Sequence, residues 1–304
     1  MSMHRPLPAD KVVGVLVAYN TPNDVLRRTA TRLAPQLFGV LIMDNSDNSG
    51  GDSRSPLAQL GEGVEYIASG GNVGIAEAQN RGVRRAIELG ANFVLFLDDD
   101  SSFPDGGVET MLRDLAFERR TSPGTVGIGP RVVDERSGQV LARVWSGSRI
   151  RPGIINETTE VAFLVSSGAL IDVAAFERFG MFRSDYFIDH VDQEWGLRTG
   201  LAGGRLVITP NVTMFHKLGD EPTLSRSGNV RYVHDSPTRD YYLTRNAVFF
   251  MRDLDLPLRK YPSMIRLLVD SSIRKVFGRS RSREQRLAVL RGLVHGVRNR
   301  RGKL

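Results

Sequence analysis

Short apolar runs alternate with segments of helical spacing through the N-terminal third of the chain. Three runs, Val12–Ala18, Val40–Met43 and Phe93–Leu97, contain no charged residue, as expected of strands that are buried on both faces of a parallel sheet. A shorter candidate strand, Val64–Ile67, lies between the second and third runs. This strand–helix alternation predicts an α/β fold with a mostly parallel central sheet flanked by helices.

Helices are predicted where apolar residues recur every three or four positions between residues that begin or end helices. Thr21-Pro22 begins one helix, and Gly90 ends a second whose apolar face comprises Ile75, Ala78, Val83, Ala86 and Ile87. Further helices are predicted over Asp172–Phe179, Val191–Leu201 and Ser236–Asp253, and strands over Val126–Pro130, Gln139–Val144, Val161–Val165 and Arg205–Thr209.

Polar side chains stand at the carboxyl ends of three predicted strands, where parallel α/β sheets bind their ligands. These side chains are Asn20, Asp44 and the triplet Asp98, Asp99 and Asp100. Three adjacent carboxylates repel one another unless a cation shares them, and oxygen ligands suit Mg²⁺ or Mn²⁺, which commonly hold phosphates. Taken alone, the triplet is equally consistent with an acidic loop or helix cap.

A second acidic cluster follows in an apolar and aromatic context. Asp189, Asp192 and Glu194 lie within six residues, and the first two share a helix face. A carboxylate beside an aromatic ring in a cleft has a raised pKa and can act as a general base. The alternative is a surface helix in which Glu194 forms an ion pair with Arg198. Further along, His216 is a candidate late ligand for the same metal, because imidazole binds Mn²⁺.

Several functional classes are excluded or disfavoured by what the 304-residue chain lacks. It contains no cysteine, so disulfides and thiolate metal sites are excluded. No apolar run is long enough to span a membrane, and the N-terminus does not resemble a signal peptide. Neither the glycine-rich motif of dinucleotide-binding folds nor that of phosphate-loop NTPases is present. The glycine-rich segment Gly70–Gly74 could bring backbone amides close to a phosphate or sugar, or be only a tight turn, and alone it is a weak signal.

Charge is distributed unevenly along the chain. The net charge is +7, but residues 258–304 alone contribute +12 and leave −5 for the rest. We therefore expect a globular domain over 1–257 and a basic amphipathic helical tail over 258–304, with apolar positions that include Leu287, Leu290, Leu293, Val294 and Val297. Such a tail is suited to an anionic membrane surface, although its apolar positions could instead pack on the body or a second subunit. The acidic body argues against nucleic-acid binding.

Several motifs in order resemble family 2 glycosyltransferases with the GT-A fold, from about Val12 to Arg252. The segments that carry the resemblance are Val17-Ala18-Tyr19-Asn20, Asp44-Asn45-Ser46, the N-x-G-x-x-x-A-x-N-x-G segment from Asn72 to Gly82, the D-x-D triplet, Ser166-Ser167-Gly168, Asp192-Gln193-Glu194 with Arg198, His216, and Tyr241-Tyr242-x-x-Arg245-Asn246. Two departures are Val191, where a Glu is common, and Glu194, which replaces an Asp.

The resemblance implies roles for individual residues in a metal-dependent, inverting transferase. Donor contacts are expected from Ala18, Tyr19, Asn20, Asp44, Asn72, Gly74, Asn80, Asp98 and Asp99. Acceptor or supporting contacts are expected from Ser167, Gly168, Asp189, Glu194, Trp195, Arg198 and Arg245. Asp192 is expected to be the catalytic base, and Asp100 and His216 the ligands of Mg²⁺ or Mn²⁺.

The sequence from Phe187 to Trp195 is especially similar to that of bacterial rhamnosyltransferases of O-antigen and other cell-surface glycans, which use dTDP-L-rhamnose. This similarity implies a saccharide or lipid-linked acceptor and a cytoplasmic enzyme that is peripheral at the inner membrane face. Another donor, such as a UDP-hexose or UDP-galactofuranose, is the alternative, as is a non-catalytic glycan-binding relative. A nucleotidyltransferase is disfavoured, because Tyr19-Asn20-Thr21-Pro22 is not its basic glycine-rich loop.

Overall fold

The protein is described from a computed structural model. The described residues are 10–47, 63–99, 101–146, 149–216, 221–224, 230–233, 236–254 and 282–304.

The described part of the chain contains twelve strands and seven α-helices. The strands are β1 Val12–Ala18, β2 Gly39–Asp44, β3 Val64–Ala68, β4 Phe93–Asp98, β5 Thr125–Asp134, β6 Arg143–Ser146, β7 Arg149–Pro152, β8 Thr159–Val161, β9 Leu170–Asp172, β10 Arg205–His216, β11 Glu221–Leu224 and β12 Val230–Val233. The helices are α1 Asn23–Leu33, α2 Ile75–Glu88, α3 Gly107–Thr121, α4 Val173–Phe179, α5 Val191–Leu201, α6 Pro237–Asp253 and α7 Arg283–Val297.

Ten strands form one sheet in the order β3-β2-β1-β4-β9-β5-β10-β8-β6-β7, and β11 and β12 form a separate hairpin. The first four strands in this order are parallel, as their apolar runs predicted. The short strand β9 is antiparallel to both of its neighbours, so the sheet is mixed beyond β4. The sequence analysis missed β9 because three residues are too few for strand periodicity to be visible.

The sheet has a hydrophobic core on each face. One core joins Val13 and Val15 of β1 to α2 and to an aromatic group around Phe96, while the other joins Leu16 of β1 to α1 and α3. Alternate side chains of a strand point to opposite faces, so a strand inside two cores must be apolar throughout. This double burial is the physical reason for the continuous apolar runs.

Helix α2 lies unusually close to the sheet. A Cβ added at Gly82 would stand 2.5 Å from Cγ1 of Val15, so only small residues fit at this contact. The sequence analysis placed Ile87 on the apolar face of this helix. That prediction is wrong, because Ile87 is 40% exposed. The buried face instead carries small and polar residues, among them Gln79 and Asn80.

Helix α7, in the predicted tail, packs on α6 through glycines. A Cβ at Gly292 would lie 2.6 Å from the Tyr241 carbonyl, and one at Gly296 would lie 2.8 Å from Cβ of Val248. Four of the larger apolar residues that the sequence analysis singled out are exposed instead, namely Leu287, Leu290, Val294 and Val297, whereas Leu293 is half-buried. The predicted domain boundary at residue 257 and the tail up to residue 281 lie outside the described residues. None of the described helices has both the length and the apolar character needed to cross a bilayer.

Candidate active site

Three parallel strands end at the same level and form one wall of the site. Ala18 at the end of β1 pairs with Asp44 of β2, and Val17 pairs with Asp98 of β4. The residues after β1, the last residue of β2 and the last residue of β4 therefore meet at one edge of the sheet. This is the position at which α/β sheets bind ligands.

Asp44 is fully buried and held by its neighbours. Its carboxylate accepts hydrogen bonds from the Tyr66 hydroxyl at 2.6 Å and the Ser46 amide at 3.1 Å. The Ser46 hydroxyl in turn accepts a hydrogen bond from the Asn20 amide at 2.7 Å, and Asn20 has a left-handed backbone with φ 55°. The arrangement fixes the turn after β1 against the end of β2, and Tyr66 is a supporting residue that the sequence analysis did not identify.

Asp99 holds the loop that follows β1. Its Oδ2 atom accepts hydrogen bonds from the Tyr19 amide at 3.4 Å and from the Thr21 hydroxyl, and its carbonyl accepts one from Thr29 at 3.1 Å. Tyr19 itself is 49% exposed, so its ring is available at the mouth of the site. Asp99 therefore shapes the site through its contacts with the β1 loop.

Asp98 lies beside the segment that contains Ser166, Ser167 and Gly168. The Asp98 amide donates a hydrogen bond to the Ser167 hydroxyl at 3.2 Å, and this hydroxyl lies 2.6 Å from that of Ser101. Gly168 has φ +91°, and an added Cβ would stand 2.7 Å from Cγ of Pro130. The segment can approach the end of β4 this closely only because its residues are small.

The glycine-containing segment before α2 is tied to the same edge of the sheet. The Asn45 side-chain carbonyl accepts a hydrogen bond from the Val73 amide at 2.8 Å, and the Asn72 side-chain carbonyl accepts one from the Gly74 amide at 3.0 Å. Gly74 has φ +88°, and a Cβ there would lie 2.6 Å from the Phe187 carbonyl oxygen. The loop Asn72–Gly74, which the sequence analysis assigned to the donor and which we call the donor loop, is thus in direct contact with the chain that leads to Asp192.

Asn80 faces away from the strand ends. Its side-chain amide donates to the Phe182 carbonyl at 2.9 Å, and its side-chain carbonyl accepts from the Phe182 amide at 3.0 Å. The sequence analysis assigned Asn80 to the donor, but in the structure it braces α2 against the segment that leads to Asp192.

Asp192 occupies the first turn of α5 and is half-buried beside an apolar wall. A small cavity next to it is lined by Phe96, Phe182 and Trp195, among others. Burial raises the pKa of Asp192 to about 6, and backbone hydrogen bonds, including one from Gln193 at 2.8 Å, only partly oppose this effect. A carboxyl group with this pKa accepts a proton near neutral pH more readily than an ordinary aspartate.

Two adjacent serines connect the surroundings of Asp192 and Asp98. Ser166 and Asp192 line the same small cavity, and the Ser167 hydroxyl accepts a hydrogen bond from the Asp98 amide. The fold thus brings the carboxylate of α5 to the strand ends, although 94 residues separate the two acids in the sequence. Gln79, which the sequence analysis did not identify, supports this junction by donating to the Ser166 hydroxyl at 2.6 Å.

The loop before α5 has a strained backbone. Phe187, Asp189 and His190 all have positive φ values, of 69°, 65° and 61°. Such conformations cost energy in residues with side chains and persist only where the surroundings enforce them. They are typical of functional loops.

Side chains from α6 enforce this conformation. The Asn246 side-chain amide lies 2.9, 2.7 and 3.1 Å from the carbonyls of Tyr186, Ile188 and Asp189, and donates to them with one N–H shared. Arg239 forms a 2.8 Å ion pair with Asp189. The sequence analysis named Asn246 only as part of the Tyr241–Asn246 motif and did not identify Arg239, because nothing local in the sequence indicates contacts fifty or more positions away.

Arg245 is almost fully buried, and its side chain contacts backbone carbonyls at the start of the same loop. Its guanidinium donates to the carbonyls of Asp185 at 3.3 Å and Tyr186 at 2.9 Å. Arg245 thus contacts the start of the loop that leads to Asp192 through two backbone carbonyls.

Three further residues from the predicted list, Glu194, Arg198 and Trp195, fix the position of α5. Glu194 is buried and forms a two-pronged ion pair with Arg198, at 2.8 and 2.9 Å. Arg198 also donates to the carbonyls of Phe179 and Met181. The Trp195 indole donates to the Gly180 carbonyl at 2.8 Å, so α5 is anchored to the end of α4.

The predicted metal ligands fall outside what the structure describes. Asp100 and the side chain of His216 are not among the described residues, and the described residues contain no group of three or more acidic or imidazole side chains suited to a metal. The described carboxylates nearest in sequence to Asp100 are those of the half-buried Asp98 and Asp99. The backbones of Ser102 and Phe215 pair in an isolated antiparallel bridge, which joins the chain segments in which the two predicted ligands occur. An oxygen-rich strand end of this kind fits Mg²⁺ or Mn²⁺.

Comparison with known proteins identifies the family of the chain. The profile of the family described as glycosyl transferase family 2 matches residues 15–180, more than half of the chain. The chain belongs to glycosyl transferase family 2. A curated relative of this family 2 glycosyltransferase, the dTDP-rhamnosyl transferase RfbF of Shigella flexneri, is 31% identical over 250 residues, which cover 81% of this chain and 82% of RfbF.

Solved structures show the same fold at low sequence identity. The chain is similar to residues 1–349 of S. aureus TarS in complex with UDP-GlcNAc, with a TM-score of 0.56, 16% identity, and coverage of 94% of this chain and 81% of that one. It is also similar to GalNAc-T7 with UDP, GalNAc and Mn²⁺, with a TM-score of 0.55, 13% identity and 87% of this chain covered, although it spans only 57% of that protein. The predicted GT-A fold is therefore confirmed.

Proposed function

We propose that the protein transfers L-rhamnose from dTDP-L-rhamnose to a saccharide acceptor with inversion of configuration. The similarity to a dTDP-rhamnosyl transferase over four-fifths of both chains supports the donor. The position of Asp192 next to the strand-end wall carries the proposal for the reaction, because inversion requires a base on the face of the sugar opposite the leaving group. The acceptor would be a glycan or lipid-linked saccharide of cell-surface polysaccharide synthesis.

Asp192 is the proposed base. It would take the proton from the acceptor hydroxyl as the hydroxyl oxygen attacks the anomeric carbon and the diphosphate leaves. Its apolar wall and raised pKa of about 6 suit this role at neutral pH. Ser167 and Gly168 are proposed to line the acceptor side.

The donor would lie along the ends of β1, β2 and β4. We propose that the Tyr19 loop contacts the nucleoside, that Asp98 contacts the ribose or sugar, and that the Asn72–Gly74 loop approaches the donor from the α2 side. Asp44, which was expected to contact the donor, is fully buried and is proposed to hold the β1 turn through Ser46 instead. Asp100 and His216 are the proposed ligands of Mg²⁺ or Mn²⁺, which when bound neutralises the charge of the diphosphate leaving group.

The donor assignment is tested by release of nucleoside diphosphate from a panel of sugar nucleotides with purified protein and Mg²⁺ or Mn²⁺. The panel comprises dTDP-L-rhamnose, UDP-glucose, UDP-galactose, UDP-galactofuranose and GDP-mannose. We expect turnover and calorimetric binding to favour dTDP-L-rhamnose. Preference for a UDP-sugar would replace the donor and keep the reaction class, whereas binding without turnover of any donor, with or without a crude lipid-linked acceptor fraction, would indicate a non-catalytic relative.

The base is tested by Asp192→Asn. This substitution keeps the shape of the side chain and removes its basicity, so turnover is expected to fall about 10²–10⁴-fold while donor affinity stays unchanged. In the unmodified protein, kcat/KM should decrease below a pH of about 6, where Asp192 becomes protonated. The matched control Glu177→Gln removes an exposed carboxylate of α4 and should leave turnover unchanged. Near-normal turnover of Asp192→Asn would reject the base.

We also propose that the outward face of α7 contacts the membrane. Leu287, Leu290 and Val294 lie on this face and are 55, 47 and 46% exposed, and exposed arginines, including Arg291 and Arg298, flank them. An apolar stripe between cations is suited to the interface of an anionic bilayer.

Liposome flotation tests this contact. The protein should float with phosphatidylglycerol vesicles more than with phosphatidylcholine vesicles, and Leu287→Gln combined with Leu290→Gln should abolish the difference. Phe117→Gln, at a 67% exposed position on α3, is the control and should float normally. Equal flotation of all variants would reject the membrane contact, and a concentration-dependent dimer lost in the double variant would assign the stripe to a second copy of the chain.

A further inference from the structure

Beyond the end of α7, the chain returns to the back of the active site. Residues Arg301–Leu304, which we call the strap, contact both the loop that precedes Asp192 and the donor loop Asn72–Gly74. No motif in the sequence indicated a role for these residues. Their contacts are unusually specific for a segment with no helix or strand structure of its own.

Arg301 anchors the strap by two carboxylates. Its guanidinium forms ion pairs with Asp185 at 2.6 Å and with Asp253, the last residue of α6, at 2.6 Å. Burial acts to raise the pKa of Asp185, but hydrogen bonds from Arg183 and Arg301 outweigh it and hold that pKa below its usual value. The pKa of Asp253 is lowered in the same way, so both acids are charged at neutral pH. Arg301 shares them with Arg183, which lies 2.8 Å from Asp185 and 3.3 Å from Asp253.

Backbone contacts extend the anchor. The Gly302 amide donates to the Asp185 carbonyl at 2.8 Å, and the Gly302 carbonyl accepts from Arg245 at 2.5 Å. Because Arg245 also donates to the Tyr186 carbonyl, the strap, α6 and the start of the strained loop form one hydrogen-bonded unit.

The far end of the strap contacts the donor side. The Lys303 ammonium donates to the Asn72 carbonyl at 3.0 Å, and the Leu304 amide donates to the Tyr242 hydroxyl at 2.7 Å. The Tyr242 ring stacks on Phe187 with ring centres 4.9 Å apart, and Phe187 is the residue against which Gly74 packs. The strap therefore reaches the two loops from one side, where they touch each other.

We propose that the strap is a positioning element of the active site, in which Arg301 sets the loop that carries Asp192 and Lys303 sets the donor loop. None of its residues is proposed to touch the reacting atoms. The proposal rests on the assignment of Asp192 as the base.

The test compares Arg301→Gln with Arg300→Gln, which removes the same charge one residue earlier at an exposed position. Loss of the anchor should lower kcat about 10–100-fold, because small displacements of a catalytic group are costly. A loosened loop would also admit water around Asp192 and weaken the effect of burial on its pKa, so the acid limb of kcat/KM should move to lower pH. Arg301→Lys keeps the charge without the planar fork and should recover part of kcat.

Lys303→Gln tests the end of the strap that contacts the donor loop independently of the Arg301 end. It should raise the donor KM while kcat changes little, which is the reverse of the effect of Arg301→Gln. An unchanged KM would reject the role of the strap at the donor loop.

Hydrogen exchange distinguishes failure of this proposal from failure of the proposed function, because it needs no turnover. Amides of residues 185–190 should exchange faster in Arg301→Gln than in Arg300→Gln, whichever donor the enzyme uses. Equal exchange in the two variants would show that Arg301 does not hold this loop. A lower melting temperature with unchanged kcat and acid limb would show that Arg301 is only a structural anchor. Absence of turnover in the unmodified protein would instead contradict the proposed function.

Discussion

The proposed donor side and the proposed base side of the candidate active site are built in different ways. On the donor side, Asp44 and Asp98 meet because β1, β2 and β4 are adjacent parallel strands with matched ends. On the base side, Asp192 follows a loop with three left-handed residues, which side chains from α6 and the strap hold in place. The donor side is thus a product of sheet topology, whereas the base side depends on individual distant side chains.

This difference indicates where the site is vulnerable. Main-chain hydrogen bonds of the sheet hold the strand ends, and no single substitution of a side chain removes them. The loop before α5 has no such ladder, and its strained conformation persists only through its braces. Substitutions at the braces, or at the contact between the two sides, should therefore cost more than substitutions within the donor wall.

The largest effect is expected at Gly74, where the two sides touch. Gly74→Ala would place a Cβ 2.6 Å from two atoms of Phe187, at a backbone conformation of φ 88° and ψ 152° that favours glycine. Strain and overpacking together should lower the free energy of unfolding by about 4 kcal/mol and reduce both donor affinity and kcat. Urea denaturation and steady-state kinetics measure these effects.

Gly70→Ala is the matched control for this substitution. Gly70 has φ +75°, but an added Cβ would meet nothing within 4 Å. It should therefore show only the smaller cost of the backbone conformation. Equal losses in the two variants would contradict the importance of the Gly74–Phe187 contact.

The next largest effect is expected at Asn246. Asn246→Ala leaves the carbonyls of Tyr186, Ile188 and Asp189 without their shared donor, which should cost about 3 kcal/mol of unfolding free energy. The loss of kcat should exceed the loss of donor affinity, since the loop leads to Asp192. Asn211→Ala, which removes an exposed amide bonded to Asp114, is the control, and a comparable loss there would show that the loop needs no brace.

A smaller effect is expected at Asp192, where substitution should raise rather than lower the free energy of unfolding. Its pKa in the folded protein, about 6, lies above the ordinary value of 3.8, so the folded state favours the protonated carboxyl group. Stability is therefore lost as the pH rises through 6, and Asp192→Asn should stabilise the protein at pH 8 by about 2 kcal/mol, with allowance for partial exposure. At pH 3, where the carboxyl group is protonated in both states, the gain should disappear. A gain that does not depend on pH would contradict burial as its cause.

The smallest effect is expected within the donor wall. Tyr66→Phe removes one hydrogen bond to the buried Asp44 and should cost about 1 kcal/mol, measured by urea denaturation. The exposed counterpart Tyr19→Phe removes a 3.0 Å hydrogen bond to Asp47 and should change stability by less. If Tyr66→Phe were as damaging as Asn246→Ala, the contrast between the two sides of the site would be lost.

Much of the fold could be predicted from the sequence because its determinants are local. Continuous apolar runs indicated β1, β2 and β4, and helix-capping residues indicated helix starts. Asp172 and Ser236 accept hydrogen bonds from the first turns of α4 and α6 as predicted. The antiparallel strand β9 and the small-residue face of α2 could not be predicted, since both depend on what the sheet places opposite them.

The sequence by itself determined the strand ends and the residue types that line them, because strand periodicity and motif spacing are properties of neighbouring residues. Only the tertiary structure decided how Asp192 is held. Asn246 and Arg301 act on residues more than fifty positions away, and a contact over that distance has no local pattern. The exposure of Leu287 and Leu290 is decided in the same way, because glycines rather than leucines allow α7 to approach α6 closely.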